Sequence, residues 1–323
     1  MPIDILSLEP SVISRDLKGK YICIYGMPKV GKTTMACQFP KNLLLGFEHG
    51  WNAIAGAMAI DIPRWADFKL VLRQLDSLQA HEKYDTITID TVGIAYDLCE
   101  QYICAQNGVQ KIGDIPYGAG YGMTQKEFDS CLRRITQMGY GLCVIAHVDR
   151  KSAESDETPD YISPLMQKRC YAVINQLVDI IGYIDVEWDD SGTSSRWLYT
   201  KRTPNIVAGS RFKYLPEKIP FGYQELVSAI ADAIDKEEKL DGAKVVDSAA
   251  PSVVEQIDFG KLRDEARVLW EKIIASDENK VIDLAKKIEI IFGKPKKLSE
   301  VTEDQASLLE LMVIEMRDMA KGL

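Results

Sequence analysis

The chain has 323 residues, carries 39 Lys+Arg against 48 Asp+Glu for a formal net charge of −9, and is 46% apolar. This excludes a disulfide-stapled miniprotein and a chain disordered throughout, and suits one large or two smaller domains with a sizeable core. The acidic balance also excludes a protein that coats nucleic acid by bulk charge, so any polyanion contact must come from a few local basic residues.

The first segment, MPIDILSLEPSVIS, lacks the basic flank and apolar core of a signal peptide, and no apolar run approaches the roughly 18 residues that span a bilayer. The expectation is a soluble intracellular protein with no membrane partner. From about residue 20 to 230, short β-branched or apolar runs alternate with helix-period stretches, the pattern of a mostly parallel sheet covered by helices. The fold class is α/β. The strand candidates are Tyr21–Tyr25, Asn42–Phe47, Thr86–Asp90, Gly141–Ala146, Ile180–Val186 and Arg196–Thr200. Asp189-Asp190-Ser191-Gly192 between the last two is turn chemistry, which predicts an antiparallel hairpin extending the sheet. Residues 1–235 form the core of this reading. The small and charged stretch 236–256 reads as a linker, and 257–323 as a helical module. In that module, helices are predicted near 261–275 and 278–292, and a third opens with a Thr302/Gln305 capping box. The third places Leu309, Met312, Met316 and Met319 on one face before Gly322. The seven cysteines include no C-x-x-C pair and there are only three histidines, so neither a zinc spacing nor a disulfide framework is present, which fits a reducing cytoplasm.

Gly26-Met27-Pro28-Lys29-Val30-Gly31-Lys32-Thr33 fits G-x-x-x-x-G-K-[ST] between a strand and a helix-compatible stretch that starts at Thr34. Glycines let backbone N–H groups turn toward phosphate oxygens, Lys32 would contact the β- and γ-phosphates of ATP, and Thr33 would ligate Mg²⁺. Asp90 closes an apolar strand where a P-loop protein keeps its Mg²⁺ acid, but Thr91 follows it, so a catalytic base must come from elsewhere. Glu48 ends the strand Asn42–Phe47 that follows the P-loop segment and is suited to orient a water, although a solvated loop glutamate has the same signature. His147 ends another strand. It is either a γ-phosphate donor or a loop histidine satisfied by backbone.

Taken in order, Gly26–Thr34, Phe47-Glu48-His49-Gly50, Thr86–Asp90 and Val144-Ile145-Ala146-His147 resemble the RecA-like ATPases. Within these, they resemble the small phage ATPases of recombination and single-strand annealing, to which Tyr117-Gly118-Ala119-Gly120-Tyr121-Gly122 is also similar. The resemblance covers about residues 18–225 and implies a RecA-like sheet, with ATP and Mg²⁺ as cofactors. It implies DNA-dependent ATP hydrolysis in the cytoplasm of a bacterial host, by a filament or ring with sites shared between subunits. It maps the hydrolytic glutamate to Glu48, the Mg²⁺ acid to Asp90 and the γ-phosphate sensor to His147, where RecA has glutamine. Lys201 and Arg202 are similar to cations that relatives insert into a neighbouring subunit's site, and Arg211 is a weaker candidate of that kind.

Two loops are candidates for single-stranded DNA. One is Ile112–Thr124 with Tyr117 and Tyr121. The other is Asp149–Pro164 with Arg150 and Lys151, flanked by Lys168 and Arg169 and opposed by Glu154, Asp156, Glu157 and Asp160. A second reading is a nucleotide-gated loader that docks a single-strand-binding or replication protein through its C-terminal helices.

Overall fold

The computed structural model describes residues 12–15, 17–151, 161–247, 258–276 and 278–321. They divide into two compact units, residues 2–254 and 255–323. In chain order the first holds β1 (Ile13–Ser14), β2 (Tyr21–Gly26), α1 (Lys32–Ala36), β3 (Asn42–Gly46), β4 (Ala59–Asp61), α2 (Trp65–Leu75), α3 (Leu78–Lys83) and β5 (Thr86–Asp90). It continues with α4 (Val92–Gln106), α5 (Ala119–Gln137), β6 (Gly141–Lys151), β7 (Tyr161–Leu165), α6 (Lys168–Leu177) and β8 (Ile180–Trp188). It ends with β9 (Ser194–Tyr199), β10 (Gly209–Ser210), β11 (Lys218–Pro220), α7 (Tyr223–Asp241) and β12 (Val245–Val246). The second unit is α8 (Phe259–Ser276), α9 (Glu278–Phe292) and α10 (Ala306–Ala320).

Strands β8, β2, β6, β5, β3 and β4 lie side by side and parallel. Antiparallel β9 and β11 continue the sheet beyond β8. The apolar runs are continuous because both faces of the sheet are covered. In β2, Ile22 and Ile24 pack with Met35 of α1 and Ile230 of α7, while Cys23 and Tyr25 face the opposite core with Phe68, Phe128 and Ile174. Burying each such aliphatic side chain stabilises the fold by about 1.5–3 kcal/mol, which fixes the register and the level of the loops at the strands' carboxyl ends. All seven cysteines are free, and burial pushes the Cys23 and Cys131 thiols up to about 12.

Four expectations change. β6 does not stop at Ala146 but runs to Lys151 and pairs with β7, so Asp149 and Arg150 lie in a strand opposite Ser163 and Ile162. The proposed DNA loop therefore begins and ends as hairpin arms, and its acidic residues Glu154, Asp156, Glu157 and Asp160 lie outside the described residues. The Ile112–Thr124 loop is largely helical: two short 3-10 turns lead into α5 at Ala119. The linker starts later than residue 236. α7 continues to Asp241 and is ended by Gly242 in the left-handed region (φ 71). Val245–Val246 then pairs with Ile13–Ser14, and Arg15 bonds Asp235 and Glu238 of α7 and Asp247. Residues 248–257 lie outside the described ones. Thr302 opens a 3-10 turn, Glu303–Gln305, without capping the backbone through its side chain.

In the second unit, α8, α9 and α10 close on Ala266, Ile273, Leu284, Ile288, Leu309, Met312 and Met316, with Met319 packed at the edge. The predicted face of α10 is the buried one, while Gly322 lies outside the described residues. Among the described residues, no helix is long and apolar enough to cross a membrane.

Candidate nucleotide site

Between β2 and α1 the loop places Lys29 (φ 64) and Gly31 (φ 107) in left-handed backbone. At Gly31 any side chain would be strained, and a Cβ would also stand 2.7 Å from Arg196 Nη1. Gly26 is required for a different reason: a Cβ there would meet the Ile184 carbonyl oxygen of β8 at 2.8 Å. Met27, Pro28, Lys29 and Thr34 are exposed around the loop and Val30 is buried beneath it. α1 has only five residues. The helix dipole is correspondingly small, and the cradle rests on loop N–H groups and on Lys32.

Lys32 is 6% exposed. Its Nζ donates to the carbonyls of Gly26 (2.9 Å) and Met27 (2.8 Å). Burial lowers its pKa, against the opposing pull of Asp90 and Glu48. A desolvated ammonium held by carbonyls on an open cavity fits a polyphosphate, which would return the missing negative charge. Thr33 Oγ1 donates to Asp90 Oδ2 at 2.7 Å. Asp90 reaches it because β5 alternates: Thr88 and Asp90 share a face, and Thr88 Oγ1 donates to Asn42 Oδ1 (2.7 Å) farther down. Burial raises the Asp90 pKa, the Thr33 hydrogen bond lowers it, and Glu48 raises it further. Two adjoining hard oxygens suit Mg²⁺. Among the described residues no cluster of three or more His, Cys, Asp or Glu gathers to cage a metal. Magnesium here would complete its shell with phosphate oxygens and water.

β6 lies between β2 and β5, with His147 level with Gly26 and Ile145 level with Asp90. The backbone N–H groups of Phe47 and Glu48 donate to the Asp90 carbonyl at 2.6 and 3.1 Å, fixing the exit of β3 against that of β5. His147 Nε2 donates to Glu48 Oε2 at 2.9 Å, and Thr91 Oγ1 approaches the same oxygen at 3.5 Å. His147 Nδ1 is buried with no hydrogen-bond partner among the described residues. One cavity of about 510 Å³ takes in Lys32, Thr33, Glu48, His49, Asp90 and His147. The ends of β2, β3 and β5 and an inner position of β6 thus place an ammonium, an acid–hydroxyl pair and a carboxylate–imidazole pair around one space.

The remaining expected residues lie elsewhere. Lys201 and Arg202 follow β9, whose Tyr199 is level with Tyr183 and hence with Tyr25, and the chain runs away from the P-loop end of the sheet. Both are exposed, neither lines the cavity, and neither forms an ion pair among the described residues. Arg211 is tied to Asp179 (3.0 Å) and the Gln176 carbonyl (2.7 Å), anchoring β10 to α6. Arg150 donates to Tyr183 Oη (3.0 Å) and lies 3.7 Å from Asp185, so it braces the sheet. Tyr121 and Arg169 do meet: the guanidinium lies 5.6 Å from the ring centre and bonds Gln125 (3.3 Å), beside exposed Lys168. Tyr117 is fully exposed at φ 59.

Arg196 escapes a sequence reading. From β9 its Nη1 donates to the Val30 carbonyl (3.0 Å) with the guanidinium over Phe221 (5.1 Å), clamping the P-loop to the hairpin. Nothing local marks it. Only the register of β9 on β8 brings it there. Trp51 Nε1 and His49 Nδ1 both reach Asp61 Oδ1 (3.0 and 3.3 Å), bracing the wall after Glu48.

An SPbeta prophage-derived uncharacterized protein, YorG, of Bacillus subtilis (strain 168) is 29% identical over 333 residues, covering 99% of each chain. Among solved structures, the flagellar accessory protein FlaH of Methanocaldococcus jannaschii is similar over 64% of this chain and 85% of its own, at 12% identity and a TM-score of 0.35. Residues 18–212 match the AAA domain family, a span that begins just before β2 and includes every group around the cavity. The chain belongs to that family of P-loop ATPases.

Proposed function

We propose that the chain hydrolyses ATP to ADP and phosphate in a phage recombination reaction, acting on single-stranded DNA as a head-to-tail filament or ring. The observation that carries the hydrolytic part is the Glu48–His147 pair facing Lys32 and Thr33–Asp90 across one cavity. Bound magnesium would neutralise phosphate charge beside Thr33 and Asp90. Lys32 leaves the Gly26 and Met27 carbonyls for phosphate oxygens. The Glu48 carboxylate, held through Oε2 by His147, orients a water and takes its proton.

The DNA part is supported by Tyr117 and by the Tyr121–Arg169–Lys168 cluster, which offer stacking faces with cations alongside. Lys201 and Arg202, turned away from their own P-loop, serve a neighbouring subunit's site in this reading. A prophage-encoded relative spanning the whole chain supports a phage setting, and with it the cytoplasm of a bacterial host.

The test is ATP turnover with and without single-stranded DNA at low salt. DNA is expected to raise the rate, and Lys32→Ala to lower it by at least about 100-fold. A rate indifferent to DNA removes the DNA coupling, and a rate indifferent to Lys32→Ala removes the site. The separate compactness of residues 255–323 favours a second reading, a nucleotide-gated loader, in which deleting that unit costs partner binding but leaves basal turnover intact.

A further inference from the structure

The helical unit carries a cavity of its own, about 550 Å³. α8 contributes Arg263, Arg267 and Trp270, which at spacings of four and three share one face of the helix. The turn after α9 contributes Lys296, Lys297 and Leu298 from the opposite side. Trp270 and Leu298 pack against the unit's core, so they form a fixed apolar floor. The four cations form the rim. Arg263 and Lys297 make no ion pair among the described residues. Lys296 bonds Gln305, and Arg267 pairs with Glu271 at 3.2 Å, with both side chains mostly exposed. On a chain of net charge −9, four cations against one acidic lining residue, Asp264, is a local reversal of sign.

We infer that this cavity binds an acidic peptide segment of a partner protein, seating one large apolar side chain on Trp270 and Leu298 while flanking carboxylates pair with the rim. The volume is that of a bounded pocket for one or two side chains. Nucleic acid fits it less well. A strand needs a groove that tracks its backbone and free aromatic faces for stacking, whereas this cavity is bounded and Trp270 packs against the core of the unit. Beyond about 8 Å the chain's net negative charge is screened at physiological salt, so a short acidic segment meets chiefly the basic rim. Arginine adds bidentate pairing with carboxylates. The inference goes beyond ATP hydrolysis and DNA, and does not depend on either.

The experiment uses the full-length protein and fluorescence anisotropy with an array of short glutamate-rich peptides bearing one central Phe, Trp, Leu or Ile. The controls are the same peptides with Ala at the centre and an oligothymidylate of matched charge. At least one apolar-centred peptide is expected to bind about 10-fold more tightly than its Ala control. The double variant Arg263→Glu/Lys297→Glu should lose that binding by about 10-fold or more while keeping wild-type ATP turnover and helix content, which shows that it folds. Binding that ignores the central residue, that survives the double variant, or that is outcompeted by the oligothymidylate overturns the inference, as does an array with no binder. None of these results bears on the P-loop site, which Lys32→Ala tests separately.

Discussion

The nucleotide cavity and the cavity of the helical unit hold charge in opposite ways. Around the P-loop, Lys32 and Asp90 are almost fully buried and each is held by hydrogen bonds: Lys32 to the Gly26 and Met27 carbonyls of its own loop, Asp90 from Thr33, 57 residues away in sequence. In the helical unit Arg263, Arg267 and Lys297 stand exposed on one helix face and one turn, with Lys296 half-buried beside them. Buried charge is costly to keep and shifts with every partner, whereas exposed charge costs little and waits for a ligand. The P-loop cavity therefore should respond to single substitutions in both chemistry and stability, and the helical cavity in binding alone.

The largest expected effect is on chemistry. Glu48→Gln keeps the hydrogen-bonding shape but not the base, and should lower the ATP turnover number by about 100- to 1,000-fold while nucleotide affinity stays near wild type. His147→Ala should cost about 10-fold, by freeing Oε2 of Glu48. If the two act as a unit, the double variant falls scarcely below Glu48→Gln alone. Steady-state turnover beside equilibrium nucleotide binding reads all three. Additive losses would separate His147 from Glu48 and break the contrast at its centre.

Next comes stability. Burial raises the Asp90 pKa, so the folded state favours the protonated carboxyl. Wild type then loses stability as the pH climbs from the unfolded value of about 4 through the raised folded one. Asp90→Asn keeps an acceptor for Thr33 Oγ1 without the buried charge. It should raise the nucleotide-free melting temperature at neutral pH by about 2 °C, with the gain vanishing below pH about 4. The same variant should lose magnesium-dependent ATP binding. A melting temperature that falls at neutral pH would mean that the Asp90 charge is already compensated.

Which parts were legible from sequence follows from the same division. β2, β3 and β5 announce themselves because both faces of each are buried, making the apolar run continuous, and G-x-x-x-x-G-K-[ST] is contiguous, so Lys32 and Thr33 needed no tertiary information. Asp90 and Glu48 were legible as strand ends, whereas His147, expected at a strand end, lies inside β6; the His147–Glu48 contact was not legible, because it depends on β6 inserting between β2 and β5. Arg196 reaches Val30 only through the β8–β9 register. β10, β11 and β12 are two or three residues long, too short for any period. β7 and the outer half of β6 went unread because Pro164 and scattered charges interrupt the alternation. The helical cavity was half legible: the α8 spacing is in the sequence, but the turn after Gly293 that faces it is not.

The smallest expected effect is the one that tests the contrast from its other side. Arg267 and Glu271 stand one turn apart on α8, with side chains 80% and 65% exposed. In water the pair's attraction is weak, and holding two long side chains in one geometry costs rotamer freedom, so Arg267→Ala should move the melting temperature by less than about 1 °C at any salt concentration. Arg267→Ala should nonetheless weaken the acidic-peptide contact, because a carboxylate docked over Trp270 meets Arg267 partly out of water, where each lost charge pair counts for more. An exposed cation that leaves stability alone yet moves binding is what distinguishes a rim from a surface. If Arg267→Ala instead unfolds the helical unit, the cations around that cavity serve the fold and the contrast between the two cavities is lost.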